Sequence, residues 1–494
     1  MNNSELTLSQ LEQYLSKAAW ILKGPVDASD YKAYIFPLLF FKRISDVYDE
    51  EYQNALEESG NDKEYASLKE FHRFEIPKDC HWKDIRETTV NVGLKIQNAF
   101  RKIESSNQEY LYGIFGDVQW SNKEKLSDEL LTNLIEHFSQ YNLSNSMVSA
   151  DILGQAYEYL IKHFADLTNK KAGEFYTPRS VTHLMTLILD PKEGESIYDP
   201  ACGTGGMLIE CLEYLKKSNK DSRTLKVYGQ ESNLTTSAIA RINLFLHDAQ
   251  DFNIFKGDTL RNPGFFDKDN LKTFDCVIAN PPFSLKDWGS DNWMNDRFGR
   301  NIAGVPPKRN GDMAWVQHMI KSMKANGRMA VVLPHGVLFR KGADGEIRKT
   351  LLEQDYLEVV IGLGENIFYG AGLAPCILIF KRNKEQHKKR KIFFIDASDQ
   401  MRVGRAQNYM DSENVKQIFD WYCENRNVEN FTKLVSMEDI KDNGYSLNIS
   451  LYVEKILEDN LPSANETLSD LKIAWNESLE SEKKFKDLLK EFIS

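Results

Sequence analysis

The sequence predicts an α/β protein: a doubly wound, mostly parallel, Rossmann-like core between an all-helical N-terminal domain and a helical C-terminal tail. From about residue 150 onward, short apolar runs typical of buried strands alternate with segments of helical periodicity. Before that point, apolar residues recur mainly at helical spacing. At 494 residues the chain is too long for one ordinary core. We expect three regions, 1–145, 146–400 and 401–494.

The composition is typical of a soluble globular protein, because 41% of the residues are hydrophobic and 27% are charged. The apolar runs are short and broken, and the first residues include neither a basic nor an apolar segment. We therefore expect no transmembrane helix, no membrane partner and no secretion signal. Six scattered cysteines without a Cys-x-x-Cys pair disfavour zinc sites and disulfide frameworks, and no metal is expected. These features predict a cytoplasmic location.

The net charge bears on possible nucleic-acid partners. Phosphate contacts dominate the affinity of proteins for DNA, so a chain that binds DNA alone is usually basic. This chain has a formal net charge of −11. If it acts on DNA, we expect another subunit to supply much of the binding energy.

The N-terminal region contains several helical patterns. Apolar residues recur at helical spacing near the start of the chain, where Thr7 or Ser9 can cap a helix. A second pattern begins near Tyr31, with Pro37 in an early turn or at a kink. Further helices are predicted near residues 96–103 and 126–141.

The central region alternates between the two kinds of pattern, which predicts a parallel sheet with crossover helices. Helices are predicted over residues 152–164, 180–189, 206–215 and 235–246. Strands are predicted over residues 196–199, 226–231, 253–256, 274–279, 328–333, 357–363 and 376–381.

The segment Asn280-Pro281-Pro282-Phe283 directly follows the predicted strand 274–279. Neither proline has a backbone N–H, and each restricts the residue before it, so we expect a stiff loop at the carboxyl edge of the sheet. Such a loop presents the Asn280 side chain and the Pro281 carbonyl as two acceptors beside the Phe283 ring. The exocyclic amine of a nucleobase fits this arrangement. Asn-Pro-Pro is also a common turn, and that alternative stays open.

A glycine-rich segment, residues 199–206 (Asp-Pro-Ala-Cys-Gly-Thr-Gly-Gly), lies between a predicted strand and a predicted helix, as a nucleotide-binding loop does. Its glycines allow a sharp turn and a close approach to a ligand. The spacing is neither G-x-G-x-x-G nor that of a P-loop. Asp199 would repel a pyrophosphate but attract a ligand with an ammonium and a sulfonium group, which points to S-adenosylmethionine. A purely structural turn is the alternative.

Two further acids stand at predicted strand ends. Glu231 closes the strand 226–231, where a carboxylate can accept both hydroxyls of a ribose. Asp258 follows the next strand, where it can accept from the amine of an adenine. Each acid singly can instead cap the following helix. Together with Asp199 and Asn280, however, they place four polar groups along one edge of one sheet, which favours a ligand site.

These motifs resemble those of the modification (M) subunits of type I restriction–modification systems, which are N6-adenine DNA methyltransferases. Residues 199–206 and 280–283 match the family's two signature motifs without departure, and residues 173–179 (Gly-Glu-Phe-Tyr-Thr-Pro-Arg) resemble its cofactor-side element. Residues 31–46 are similar to its helical N-terminal domain, and residues 445–448 (Tyr-Ser-Leu-Asn) to its tail. The resemblance spans nearly the whole chain. Asn-Pro-Pro-Phe alone is shared with amino-methyltransferases generally.

The resemblance implies a cofactor, S-adenosyl-L-methionine, and several partners. These are double-stranded DNA, a specificity (S) subunit, a restriction (R) subunit in the full complex, and a family expectation of two M subunits per S subunit. The residues implied in catalysis are Asn280, Pro281, Pro282 and Phe283. Those implied in cofactor binding are Glu174, Phe175, Tyr176, Thr177, Pro178, Arg179, Asp199, Thr204, Gly205, Gly206, Glu231 and Asp258.

The expected reaction is methyl transfer to the N6 amine of a flipped adenine, since that amine is out of reach inside a duplex. Phe283, helped by Tyr176, is expected to stack on the base. Asn280 Oδ1 and the Pro281 carbonyl are expected to accept the two amine hydrogens. Direct transfer requires neither a covalent enzyme intermediate nor a catalytic cysteine. Two alternatives stay open: methylation of the N4 of cytosine or another amine, and a non-catalytic assembly scaffold.

Two further segments have competing interpretations. Apolar residues recur at helical spacing from Leu468 to Phe492, which predicts amphipathic helices that either pack as usual or contact a partner subunit. We assign the region 401–494 to partner contact. Seven Lys and Arg residues lie between positions 381 and 391. This segment separates two predicted strands, so a solvated hairpin loop is favoured over a nucleic-acid patch.

Overall fold

A nine-stranded sheet forms the centre of the part of the chain that the structure describes. The structure is a computed structural model. It describes residues 6–149, 152–157, 159–160, 177–368, 372, 374–405, 407–455 and 464–493. The strands are β1 (Ser196–Asp199), β2 (Lys226–Glu231), β3 (Phe252–Lys256), β4 (Phe266–Asp267), β5 (Asn270–Leu271), β6 (Phe274–Ala279), β7 (Met323–Pro334), β8 (Leu357–Leu363), β9 (Pro375–Lys381), β10 (Lys391–Ala397) and β11 (Thr432–Ser436).

The strand order in the sheet is β11-β10-β8-β9-β7-β6-β1-β2-β3, while β4 and β5 form a separate hairpin. From β3 to β7 all neighbouring strands are parallel. β9 runs antiparallel to both of its neighbours, β7 and β8, and β11 is antiparallel to β10. The predicted doubly wound, mostly parallel sheet is therefore confirmed.

The chain changes direction across the sheet at β1. From β1 it moves outward to β2 and β3, and it then returns to the other side of β1 to form β6 and β7. Such a switch leaves a crevice at the carboxyl ends of the two central strands, where open α/β sheets bind ligands. In this crevice lie the ends of β1 and β6, which are Asp199 and Ala279.

Apolar cores cover both faces of the sheet, because successive strand residues point to opposite sides. In β1, Ile197 belongs to the core on one face and Tyr198 to the core on the other. The first face packs against the helices Arg179–Leu189, Gly206–Lys217 and Ser412–Glu424. The second packs against the helices Asp312–Lys321, Ala343–Glu353 and Met437–Asp442.

The N-terminal region is helical, as predicted. Thr7 caps the first helix through a reciprocal capping box with Gln10. Pro37 lies inside the second helix, in its second turn. These helices form a core of their own, which also receives Ile239 and Phe245 from the helix Leu234–Leu246. Their bounds are Leu8–Leu22, Tyr31–Glu58, Lys63–Ala66, Trp82–Arg86, Val92–Ser106, Gln108–Leu111 and Asp128–Phe138.

The predicted C-terminal region contains two different parts. Residues up to Val453 belong to the same compact unit as the sheet and supply β11 and the helix Ser412–Glu424. The second unit contains one long helix, Ala464–Ile493, with exposed apolar side chains along it. None of the described helices is long and apolar enough to cross a membrane.

The basic segment between β9 and β10 is not a hairpin, so that prediction is wrong. β8 lies between the two strands, antiparallel to β9 and parallel to β10. The segment is also less solvated than predicted. The buried Lys384 ammonium donates to Asp355 Oδ1 at 2.7 Å and to two backbone carbonyls. Lys381 and Lys388 both pair with the buried carboxylate of Glu358, at 3.1 and 3.3 Å.

Candidate active site

The glycine-rich segment forms a tight turn between β1 and the helix Gly206–Lys217. The Cys202 N–H donates to the Gln230 carbonyl at 3.0 Å, and the Gly205 N–H donates back to the Cys202 carbonyl at 2.8 Å. Gly205 has a φ of +84°, in the left-handed region that favours glycine. A side chain at Gly206 would meet no described atom within 4 Å, so the backbone there is open to a ligand.

Two neighbouring elements hold this turn in place. Asn243, on the helix Leu234–Leu246, donates from its Nδ2 to the Thr204 carbonyl at 3.0 Å. From the loop after β3, the Thr259 hydroxyl donates to the Pro200 carbonyl at 2.5 Å. The turn is thus fixed through its carbonyls, which leaves its glycine edge facing the crevice.

Asp199 is a buried acid at the end of β1. Its Oδ1 accepts the Ala201 N–H at 2.9 Å. Burial raises the pKa of the Asp199 carboxyl to about 8; the Ala201 N–H opposes this rise and the nearby Glu231 carboxylate adds to it. A buried carboxyl with a raised pKa is stabilised in its charged form by a cation, so this end of the crevice favours a positively charged ligand.

The acids after β2 and β3 make local bonds. Glu231 accepts the Gly203 N–H at 3.1 Å with one oxygen and the Asn233 N–H at 2.8 Å with the other. Asp258 accepts the Leu260 N–H at 3.1 Å and pairs with the Arg261 guanidinium at 2.8 Å. Both acids therefore do cap the start of the next segment. A carboxylate has about four acceptor positions, so these bonds leave room for a ligand.

The Asn280 amide is oriented for recognition of a donor. Its Nδ2 donates to the Thr177 hydroxyl at 3.0 Å. Its Oδ1 is buried and has no hydrogen-bond partner among the residues that the structure describes. A buried acceptor without a partner is uncommon, because an unmade hydrogen bond costs about 1–3 kcal/mol. The unsatisfied oxygen therefore marks a position where a ligand N–H can bind.

The rest of the loop is fixed by its neighbours. The partly buried Phe283 ring lies 6.1 Å from the Phe368 ring, centroid to centroid. Ser284 follows with a φ of +51°, and its N–H donates to Asp312 Oδ1 at 2.7 Å. The other oxygen of Asp312 accepts from the Arg340 guanidinium at 2.5 Å. A partly buried ion pair thus fixes the point where the chain leaves the loop.

The predicted site residues are placed as follows. β1 and β6 are parallel neighbours, with Tyr198 opposite Val277, and continuing that register brings Asn280 level with Ala201 in the glycine turn. The same crevice edge receives Thr177 through its bond to Asn280. Arg179 lies 3.5 Å from Glu210, on the helix after the glycine turn. Glu174, Phe175 and Tyr176 lie outside the described residues.

Sequence reasoning missed four residues that support the site: Asn243, Thr259, Asp312 and Arg340. Each supports a loop through a contact with a residue far away in the sequence, and spacing alone does not reveal such contacts. One weak signal existed for Asp312, which follows an Asn-Gly pair and directly precedes a helical pattern.

Comparisons with known proteins identify the family of the chain. Residues 148–460 match the family described as N-6 DNA Methylase, and residues 11–138 match the HsdM N-terminal domain. The chain belongs to the N-6 DNA methylase family.

Several relatives of this N-6 DNA methylase share most of its length. The type I restriction enzyme MjaVIII methylase subunit of Methanocaldococcus jannaschii is 33% identical, over 94% of this chain and 81% of that protein. The MpnII methylase subunit of Mycoplasma pneumoniae is 28% identical, over 91% and 90%. A crystal structure of the type I restriction-modification system methyltransferase subunit from Streptococcus thermophilus is 31% identical, has a TM-score of 0.78, and matches 91% of this chain and 100% of that one.

These matches confirm the resemblance noted in the sequence. The protein is an adenine-specific DNA methyltransferase of the type I modification-subunit kind, and its methyl donor is S-adenosyl-L-methionine. The site fits this donor, because a buried acid with a raised pKa and an open glycine backbone suit a cationic nucleoside. The family match also decides among the amines considered, in favour of the N6 of adenine.

The raised pKa of Asp199 has a consequence for stability. Its value in the folded protein is about 8, against 3.8 for an unperturbed carboxyl. The folded state therefore holds a proton that the unfolded state has lost, so the free energy of unfolding falls as pH rises from about 4 to about 8. We expect Asp199→Asn to remove this pH-dependent fall in the free energy of unfolding. In the absence of cofactor, its melting temperature should exceed that of the unmodified protein by about 2 °C or more at pH 8.

Thermal unfolding followed by circular dichroism between pH 5 and 9 measures this difference. It should grow with pH up to about 8 and then level off. Asp221→Asn serves as a control, because hydrogen bonds from the Arg223 side chain and backbone lower the pKa of the Asp221 carboxyl, so it stays ionised over this pH range. If the difference in melting temperature between Asp199→Asn and the unmodified protein did not change with pH, the raised pKa assigned to Asp199 would be contradicted.

Proposed function

We propose that the crevice between the Asn280 loop and the glycine turn is the active site, where a methyl group is transferred to the N6 amine of an adenine flipped out of DNA. The observation that carries this proposal is the buried Oδ1 of Asn280 at the topological switch point of the sheet, which accepts no hydrogen bond from any residue that the structure describes. An acceptor held in this way suits the N–H of an exocyclic amine. Duplex pairing hides that amine, so the base has to leave the stack.

On the substrate side, three groups of the catalytic loop act together. Asn280 Oδ1 and the Pro281 carbonyl accept the two hydrogens of the amine, which leaves its nitrogen lone pair free to react. The Phe283 ring stacks on the base. As the amine nitrogen gains positive charge, the two fixed acceptors stabilise it without reorganising, because Thr177 and the prolines already hold them in place.

On the cofactor side, the residues proposed to bind S-adenosylmethionine surround the glycine turn. The donor supplies a methyl group on a positively charged sulfur. Asp199 balances its positive charge, Glu231 accepts from the ribose, and Asp258 accepts from the adenine amine. The backbone of residues 204–206 would hold the ligand at the glycine turn, and residues 174–179 are proposed to bind it as well.

The partners follow from the relatives, which are named as subunits of type I restriction enzymes. We propose that a specificity subunit selects the DNA site and that a restriction subunit joins the full complex, with two copies of this chain per specificity subunit. The net charge of −11 supports shared DNA binding. The cytoplasmic location stays a prediction, as do the regional boundaries.

The exposed face of the helix Ala464–Ile493 supports a subunit contact. Leu471, Trp475 and Leu479 follow one another every four residues, and their side chains are at least half exposed. Apolar residues at this spacing form a stripe along one side of a helix. We propose that this stripe packs against helices of the specificity subunit.

The role of Asn280 is tested by Asn280→Ala. Because the variant loses the acceptor for the amine, we expect methylation of plasmid DNA to fall at least about 100-fold. S-adenosylmethionine should still bind with an affinity within about threefold of the unmodified protein, measured by calorimetry, since the glycine turn is untouched. Asn253→Ala, at an exposed position of β3, is the control and should retain activity. Normal turnover by Asn280→Ala would refute the catalytic assignment.

The proposed subunit contact is tested by Trp475→Glu combined with Leu479→Glu. Two carboxylates in an apolar interface are strongly unfavourable, so the variant should no longer copurify with a coexpressed specificity subunit. Cofactor binding should be unchanged, because the sheet lies in the other compact unit. Lys484→Glu adds a carboxylate at an exposed position on the opposite side of the helix and should leave copurification intact. If the double variant copurified with the specificity subunit as well as the control variant and the unmodified protein do, this helix would be excluded as the contact.

A further inference from the structure

Exposed basic side chains surround the exit of the catalytic loop. Lys286 lies three residues after Phe283, and Arg309 and Lys341 belong to two other segments. All three side chains are exposed. Together they define what we call the basic rim.

Buried contacts bring these three segments together. Asp312, which is 0% exposed, accepts the Ser284 N–H at 2.7 Å with one oxygen. With the other it accepts from Arg340 at 2.5 Å. Lys286 is two residues from Ser284, Arg309 is three residues from Asp312, and Lys341 is next to Arg340. The segments that carry the basic rim therefore meet at one partly buried ion pair, whose carboxylate is buried.

Backbone pairing fixes two of the segments side by side. The Gly311 N–H donates to the Leu285 carbonyl at 3.0 Å, and the Asp287 N–H donates to the Lys308 carbonyl at 3.3 Å. These two bonds place Lys286 beside Arg309. Gly311 also allows close packing, since a side chain there would approach the Trp288 ring to 3.0 Å.

The local charge is opposite to that of the whole chain. Residues 284–287, 308–312 and 339–342 carry five basic and two acidic side chains, whereas the chain has a net charge of −11. One of the two acids, Asp312, is already paired with Arg340. Lys308 pairs with Asp291 at 3.4 Å. Within the described part of the chain, the three cations of the basic rim form no ion pair.

An aromatic side chain lies within the same surface. Phe339 directly precedes Arg340 and is 47% exposed. Exposed cations next to an exposed aromatic ring are typical of surfaces that contact nucleic acids, where the cations bind phosphates and the ring contacts sugars or bases.

We propose that the basic rim binds backbone phosphates of the target strand on either side of the flipped adenine. This inference rests on the proposed function, because the rim borders the loop to which the base is assigned. A flipped nucleotide stays attached to its strand, so the phosphates beside it must pass close to the loop exit. An acidic protein needs cations at this point to hold them. Phosphate contacts position the strand and carry no sequence information, in agreement with specificity from a partner.

The test neutralises the rim with Lys286→Gln, Arg309→Gln and Lys341→Gln combined. DNA binding is measured from 50 to 250 mM salt, on the full chain in complex with its specificity subunit. Each lost phosphate contact should reduce the slope of log affinity against log salt by about one, so we expect a slope shallower by about three. The KM for DNA should rise about tenfold or more, while kcat at saturating DNA stays within about threefold.

A matched control removes two lysines and one arginine from the opposite edge of the sheet: Lys217→Gln, Arg223→Gln and Lys226→Gln. These side chains are exposed at the end of the helix Gly206–Lys217 and at the start of β2. The control should keep the slope of the unmodified protein. A rim variant with the same slope and KM as this control would overturn the proposal.

The binding measurement also separates this proposal from the catalytic one. Because DNA binding is measured without turnover, the salt dependence can also be measured in an Asn280→Ala background. A shallower slope in that background supports the basic rim even if the role of Asn280 proves wrong. An unchanged slope there overturns the basic rim and leaves the role of Asn280 untouched.

Discussion

The parallel pairing of β1 with β6 is the constraint on which the site depends. The two strands lie about eighty residues apart in the chain, yet their carboxyl ends meet because they are neighbours in register. The glycine turn and the proline loop are extensions of these strands, so their separation is set by the spacing between strands in a sheet. In the proposed active site, the methyl donor and the acceptor base would thus need no further structural element to bring them together. What the surrounding structure adds is rigidity, through Asn243 and Thr259 on one side and Asp312 on the other.

Much of the sheet was predictable from the sequence. β1, β2, β6 and β8 have the predicted bounds, because each is a short apolar or β-branched run bounded by polar or turn residues. A strand was predicted after the basic segment, where β10 lies, but without bounds, and β11 was not predicted. β10 follows directly on the basic segment, and β11 is an edge strand whose polar and apolar residues alternate weakly. The antiparallel position of β9 was also out of reach, since the order of strands depends on long-range pairing.

Only part of the candidate site could be predicted from the sequence. Polar residues at strand ends are visible in a sequence, which explains why Asp199, Glu231, Asp258 and Asn280 were selected. The hydrogen bonds and the burial of each residue could not be predicted from the sequence. Within the described residues, the Asn280 amide has one atom with a partner, Thr177, more than a hundred residues away, and one atom without. Likewise, the charge of the segment 381–391 predicted exposure to solvent, whereas three of its lysines form ion pairs that are buried or partly buried.

The long C-terminal helix has a consequence for how the protein is made. Its leucine, tryptophan and phenylalanine side chains are exposed in the isolated chain. A copy of the chain without a partner exposes this apolar surface to solvent. Such a surface favours self-association and makes the chain susceptible to proteases. If this helix packs against another subunit, as proposed, surplus copies of the chain would be removed, and synthesis of the two subunits would have to be balanced.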